Sequence, residues 1–348
     1  MAEQHLDDID AIRNTIENWL ISHLAGGGDL TLSKPAFPAQ SGESSVTLLL
    51  DARYQGGEQK WVFRMAPPQS QIFDRHDIKM QYDLMEIMAQ SAIPVPALVG
   101  YEPDRTLVGS DFYIMQFVDG QVPTDNPPFA FGSWVTELDN AQREAMWRNG
   151  LQTLARIHQI ELSRHNLSDV PRAEPGRSIV QHEIDKFEQM LDPQIVGDIS
   201  PVLHESLAFI KANAPHNGPL RLCWGDSRVG NIIWRELQPA AVIDWEMATL
   251  SDPLQDVSWW YWIDYINSVG LGAERLGGLP ARAEIYEQWL QLTGLPVDNH
   301  DYFDLFSVLR YSIILERKFA AMRAAGMGDI DNFAMAFLPD LLANCQNR

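Results

Sequence analysis

The run LRLCWGDSRVGNIIWREL (220–237), continuing through AAVIDWE (240–246), carries three short strand-like segments in quick succession. Each is rich in β-branched and aromatic residues and bounded by turn formers, which predicts a compact hairpin region. Asp226 falls at the end of the first segment, Asn231 at the start of the second and Asp244 at the end of the third. A carboxylate and an amide five positions apart, facing a second carboxylate across tight turns, form an oxygen-rich set suited to a hard cation. Mg²⁺ takes such a sparse set of protein oxygens and completes it with water and substrate phosphates. Asn231 and Asp244 are therefore the expected ligands, which leaves Asp226 to orient a hydroxyl or accept its proton.

Outward from this island the pattern is mostly helical, with helices expected over 139–160, 179–191, 199–214, 253–268, 281–293, 301–325 and 329–345. Toward the N-terminus the character changes. Residues 8–24 place Ile12, Ile16, Trp19 and Leu20 on one stripe, which predicts a leading helix. The strands 44–52 and 60–65 flank a turn at Tyr54–Gly57 and read as a hairpin. A helix is expected over 76–91, stopped by Pro94 and Pro96, and a further strand over 111–118. The proline-rich segment that follows sets the expected boundary: a β-rich N-terminal lobe with its leading helix at 1–118, and a mainly helical lobe at 119–348.

Composition narrows the function classes. Among 348 residues, 26 Lys and Arg stand against 47 Asp and Glu, a formal net charge of −21 that would be repelled by a phosphate backbone. No nucleic-acid partner is expected, and no apolar run approaches the ~20 residues a spanning helix needs, so no membrane partner either. Two cysteines make no disulfide framework or zinc spacing. The acidic N-terminus has no apolar core of a signal peptide, and a cytoplasmic location is expected. Phosphate loops of the GxxxxGK type, GxSxG elbows, HExxH helices and GxGxxG turns are all absent from the sequence. Oligomeric state is not readable.

The order Asp226…Asn231, then Asp244, resembles the catalytic loop and metal-binding motif of protein kinases. The glycine before Asp226, the Asp-Trp-Glu at 244–246 and Ser251-Asp252-Pro253…Asp256 are similar to the aminoglycoside phosphotransferase-like group of small-molecule kinases. LARIHQIEL (154–162), IPVP (93–96) and FYIMQFVDG (112–120) match further landmarks of that group. Trp-Gly-Asp in place of His-Gly-Asp points to the subgroup related to kinase domains fused to acyl-CoA dehydrogenases.

The resemblance implies an α+β, protein-kinase-like bilobal fold, with a small antiparallel β-sheet N-lobe and a larger, mainly helical C-lobe. It implies ATP and Mg²⁺ as cofactors and a small hydroxylated molecule as acceptor. Asp226 is the implied catalytic base and Arg228 the stabiliser of charge on the transferred group; Asn231 and Asp244 hold the metal. On the nucleotide side, Arg64 stands where a strand lysine is usual and Gln81 where its acidic helix partner is usual, with Lys60 and Glu86 as substitutes. Ser41 and Gly42 occupy the place of a phosphate-covering loop, and the backbone at Gln116 and Val118 that of the adenine-binding hinge. Asp256 is expected to brace the catalytic loop, Asp252 to cap the next helix, His158 to be a packed helix histidine, and Trp259–Trp262 to be core, with a pocket-lining role for part of that run left open. Arg310 and Arg317 are conceivable cations for an acidic acceptor. Two other readings stay open: a nucleotide-binding regulator with weak catalysis, favoured by Gln81 and Trp224, and a metal-dependent hydrolase using the same carboxylates.

Overall fold

A computed structural model describes residues 9–24, 27–38, 45–67, 73, 76–328 and 330–347, and the chain falls into two units, Met1–Asp119 and Gly120–Arg348. The first unit is built on β2 (Val46–Tyr54) and β3 (Gly57–Met65), preceded by α1 (Ile9–His23) and β1 (Thr31–Leu32). Gln55 and Gly56 between β2 and β3 both have positive φ, 49° and 72°, the backbone of the tight two-residue turn that matches strand twist. After α2 (Ile78–Gln90), β4 (Leu98–Glu102) and β5 (Phe112–Gln116) complete an antiparallel sheet in the order β1-β2-β3-β5-β4.

Alternation assigns the faces of β3. Trp61, Phe63 and Met65 join Ile16, Trp19 and Leu20 of α1 in one apolar cluster with Leu48, Leu50 and Ile114. Val62 and Arg64 therefore look to the opposite face of the sheet. α2 starts where the Asp77 carboxylate accepts a hydrogen bond from the Met80 amide at 2.8 Å, a side-chain cap for an otherwise unpaired helix donor.

The second unit opens with α3 (Trp134–Glu137) and α4 (Asn140–His158), the latter started by a reciprocal cap between Asp139 and Gln142. Helices α5 (Gln181–Met190), α6 (Pro193–Val196) and α7 (Pro201–Ala212) follow. Then come β6 (Arg221–Cys223), β7 (Ile232–Arg235), β8 (Gln238–Val242) and β9 (Thr249–Ser251), and the helices α8 (Leu254–Ser268), α9 (Arg282–Thr293), α10 (His300–Ala324) and α11 (Leu338–Gln346). Here the expected single hairpin region is corrected: β6 pairs with β9 and β7 with β8, as two separate antiparallel ribbons. Asp226 and Asn231 lie in the loop from one ribbon to the other, with Asn231 closing a short 3₁₀ turn at Val229–Asn231. The expected final helix over 329–345 is also corrected, since a 3₁₀ turn at Phe333–Phe337 precedes α11 and residue 329 lies outside the described residues. Among the described residues no helix is long and apolar enough to cross a membrane.

Candidate active site

The loop between β6 and β7 is held from below by Asp256, on the first turn of α8. Its carboxylate accepts hydrogen bonds from the backbone amides of Trp224 at 2.6 Å and Gly225 at 3.0 Å, and from His158 Nε2 at 3.1 Å. Ser227 Oγ donates to the Asp256 carbonyl at 2.7 Å. Trp289 Nε1, which can only donate, lies 3.0 Å from His158 Nδ1, so that nitrogen accepts and the ring proton sits on Nε2 facing Asp256. His158, Asp256 and Trp289 are wholly buried. The loop thus rests on a fully paired polar chain running from α9 through α4 to α8.

The Trp224 side chain answers the loss of the usual histidine. Its Nε1 donates to the carbonyls of Ile243 at 3.0 Å and Asp244 at 3.1 Å, tying the loop to the second motif. Asp244 itself has φ +64°, a left-handed conformation that aspartate adopts more readily than most side chains. The Ile243 amide donates to the Asn231 carbonyl at 3.0 Å, which places Asp244 one residue beyond the contact with Asn231.

Above this support the Asp226 carboxylate is set by three side chains. Oδ2 accepts from Asn231 Nδ2 at 2.6 Å and Arg228 Nε at 3.1 Å; Oδ1 accepts from Trp259 Nε1 at 2.7 Å. Asn231 Nδ2 also donates to the Asp226 carbonyl at 3.0 Å. With its nitrogen so engaged, Asn231 turns its oxygen, the end an amide offers to a metal, away from Asp226. Asn231 and Asp244 each carry a hard oxygen of the kind Mg²⁺ takes, and the Ile243–Asn231 backbone bond joins the two segments that bear them.

Arg228 carries a second partner. Its two terminal nitrogens hold the carboxylate of Asp125 in a fork, at 2.5 Å and 2.9 Å, leaving Nε for Asp226. Burial acts to lower the Arg228 pKa, but the neighbouring carboxylates of Asp226 and Asp125 outweigh it and hold the guanidinium charged well above its ordinary range. Gly230 is part of this arrangement: a Cβ there would stand 2.5 Å from Arg228 Nη1. Tyr311 on α10 packs edge-on against Trp259, with ring centroids 6.0 Å apart, and donates to Asn267 Oδ1 at 2.8 Å. Burial pushes its phenol up to about 12, so it stays protonated. Asp125, Trp259 and Tyr311 escaped the sequence reading as site residues. No motif marks Asp125 or Tyr311, and Trp259 falls in the Trp-Trp-Tyr-Trp run of 259–262, which the sequence reads as core with a pocket-lining role for part of it left open.

Several other expected residues can be placed. Asp252 caps α8, its Oδ1 accepting from the Leu254 amide at 3.0 Å. Arg310 is corrected as a pocket cation. It is wholly buried, donates to the Gly225 carbonyl at 3.3 Å and stacks on Trp259 at 4.7 Å, so it sits behind the loop. Arg317 is likewise buried rather than presented to a pocket.

In the first unit Arg64 is 7% exposed and donates to Ser45 Oγ at 2.5 Å, whereas Lys60 is exposed and lies 3.9 Å from Asp51. Gln81 is buried on α2, and neither its amide oxygen nor its nitrogen has a hydrogen-bond partner among the described residues. The Gln116 amide donates to the Ala97 carbonyl at 2.7 Å, so that donor is committed to the sheet, and Val118 lies just beyond the strand end. Ser41 and Gly42 lie outside the described residues.

A family model described as the phosphotransferase enzyme family, APH, matches residues 38–292. Human acyl-CoA dehydrogenase family member 11 is 24% identical over 342 residues, covering 94% of this chain but 42% of that protein, so the chain spans less than half the length of this relative. Among solved structures, a putative aminoglycoside phosphotransferase from Ralstonia eutropha JMP134 superposes with a TM-score of 0.70 at 21% identity, covering 94% of this chain and 95% of the other. A thermostable mutant of aminoglycoside phosphotransferase APH(4)-Ia, in ternary complex with AMP-PNP and hygromycin B, gives a TM-score of 0.56 at 16% identity over 96% of this chain and all of that one, at 100%. The fold is kinase-like, with an antiparallel N-terminal sheet and a helical C-terminal part.

Proposed function

The chain belongs to the APH phosphotransferase enzyme family, and from that membership and the setting of Asp226 we propose that it transfers the γ-phosphoryl group of ATP to a hydroxyl of a small molecule, with Mg²⁺. The observation that carries this reading is the Asp226–Asn231 contact of 2.6 Å, in which the amide nitrogen of Asn231 is spent on the Asp226 carboxylate and its oxygen is left for another partner. Asp226 orients the acceptor hydroxyl and takes its proton as the new O–P bond forms and the bond to the ADP oxygen breaks. Arg228, kept charged by its two acids, steadies negative charge on the transferred group. Mg²⁺ held by Asn231 and Asp244 supplies charge neutralisation at the phosphates when bound. Arg64 serves as the phosphate contact of the N-terminal unit, its guanidinium suited to two phosphate oxygens at once. Gln81 stands beside that role as a neutral side chain, and the backbone at Gln116 and Val118 receives the base. That structures of this fold are held with AMP-PNP, ADP and GDP supports a nucleotide as the donor. Phosphoryl transfer demands positioning and electrostatics more than covalent chemistry, and the site is built for both.

The test is an ADP-release screen with Mg·ATP over hydroxylated metabolites and aminoglycosides, repeated with Asp226→Asn. Turnover should vanish in the variant while Mg·ATP still raises its melting temperature. A variant as active as the parent removes Asp226 from the chemistry. The second reading is a nucleotide-binding regulator with weak catalysis, and the buried Gln81 amide, in place of an acid that would neutralise Arg64, favours it. It expects thermal stabilisation by nucleotide with no ADP release for any acceptor.

A further inference from the structure

We propose that Trp259, backed by the buried Arg310, is a positioning residue for Asp226 that selects Oδ1 as the oxygen receiving the acceptor's proton. The inference rests on the phosphotransfer reading above for what Asp226 does, and on geometry for how it is held.

A carboxylate offers about four lone-pair directions, two on each oxygen. At Asp226, Oδ2 has both taken, by Asn231 Nδ2 at 2.6 Å and Arg228 Nε at 3.1 Å. Oδ1 has one taken, by Trp259 Nε1 at 2.7 Å. The remaining direction lies on Oδ1, beside the indole, and that is where a hydroxyl proton can be accepted without displacing Asn231 or Arg228. Because Trp259 is 2% exposed and one helical turn past Asp256 on α8, the same helix fixes the loop backbone and the carboxylate's rotation. A carboxylate free to turn about its terminal bond would present either oxygen; this one is pinned at both.

The indole direction is specific to this contact. Three other buried tryptophans, Trp147, Trp245 and Trp260, leave their Nε1 atoms without a hydrogen-bond partner among the described residues. Packing alone therefore does not compel an indole in this unit to find an acceptor, and Trp259 finds the catalytic carboxylate. Behind it the Arg310 guanidinium stacks on the Trp259 ring at 4.7 Å, with Phe187 at 5.0 Å and Phe306 at 5.7 Å around it, and Glu183 3.6 Å away. A cation on the indole face draws density from the ring and strengthens N–H donation to an anion on its edge. Arg310 also holds the Gly225 carbonyl at 3.3 Å, so one buried side chain supports both the residue before Asp226 and the donor to its Oδ1.

Two measurements test this. In ¹H–¹⁵N spectra of the full chain, the indole resonance that Trp259→Phe removes should lie far downfield and exchange slowly, as expected of a charge-assisted bond, and should move upfield in Asp226→Asn, whereas that of Trp19, which donates to Glu102 at 2.7 Å, should not move. If no such indole responds to that substitution, the contact does not exist in solution and the proposal is overturned. Trp259→Phe keeps most of the ring and loses the N–H. With an acceptor found in the screen, its kcat should fall roughly tenfold or more, the scale of a misplaced reacting group. Its KM for Mg·ATP and its stabilisation by Mg·ATP should stay at parental values. An unchanged kcat overturns the proposal, as does a fall in kcat accompanied by loss of Mg·ATP stabilisation, which marks a merely structural tryptophan. A wild-type chain that releases no ADP with any acceptor, yet shows the indole response, overturns the phosphotransfer reading while upholding the Trp259–Asp226 contact.

Discussion

Gly225 and Gly230 stand five residues apart in the loop and place different demands on their positions. Gly225 has φ +90°, and a Cβ there would lie 2.0 Å from the Met247 carbonyl oxygen and 2.4 Å from its carbon. Both obstacles are backbone, so nothing cheap can move. At Gly230 the nearest obstacle is the tip of Arg228 at 2.5 Å, a flexible group that can swing aside. Gly225→Ala should therefore cost about 3 kcal/mol or more, combining left-handed strain with a clash, and release Asp226 from its setting. Gly230→Ala should cost under about 1 kcal/mol and act through the displaced Arg228–Asp125 pair. Urea unfolding of the two variants checks this, and equal losses would contradict the assigned backbone. Asp226 and Asn231 are legible in the sequence because one short loop holds them five positions apart, and Asp244 because Ile-Asp-Trp-Glu at 243–246 resembles a metal-binding motif. Asp125, Trp259 and Tyr311 are not, because they reach the site from other elements and no local pattern records which of many similar residues will arrive.

At the scale of elements, the loop owes its shape to α4, α8 and α9 together. The Asp256 carboxylate receives donors from Trp224, Gly225 and His158, all in the buried interior. An amide in its place would offer two hydrogens where three donors already point. Asp256→Asn should destabilise the chain by roughly 2–4 kcal/mol, the range for leaving buried donors unpaired, and lower turnover beyond what the folded fraction explains. Chemical unfolding followed by a rate measurement on the folded protein checks it; a variant of parental stability and rate would show the carboxylate to be dispensable. The helices were largely legible because α4, α8 and α10 are long and have defined ends. Strand pairing was less so: β6 finds its partner in β9 rather than in its sequence neighbour, and register between distant segments leaves no local trace. β4 was hidden for another reason. It follows Pro94 and Pro96, and its five residues are all half-buried, so no alternation of apolar and polar side chains announces a strand.

For the whole molecule the decisive quantity is where its excess acid is kept. A formal charge of −21 at neutral pH is spread mostly over the surface, but part of the acid is buried at a cost. Burial pushes Asp252 up to about 6, with the Leu254 amide pulling the other way, and pushes Asp264 up to about 6 against the opposing pull of Arg275. A carboxyl that titrates higher in the folded chain than in the unfolded one binds more protons when folded between the two values. Stability contributed by such a group is present in full below about pH 4 and is lost as pH rises through about 6. Asp252 gives the cleaner test, since its 3.0 Å cap on Leu254 needs only an acceptor oxygen, which asparagine also has. Asp252→Asn should gain up to roughly 3 kcal/mol over the parent at pH 7.5, the worth of about two pKa units, and the gain should shrink toward zero near pH 4. Taking the difference between variant and parent at each pH cancels the ion pairs that both lose on acidification. A difference that stays constant from pH 4 to 7.5 would mean that residue 252 pays no charge penalty in the folded chain.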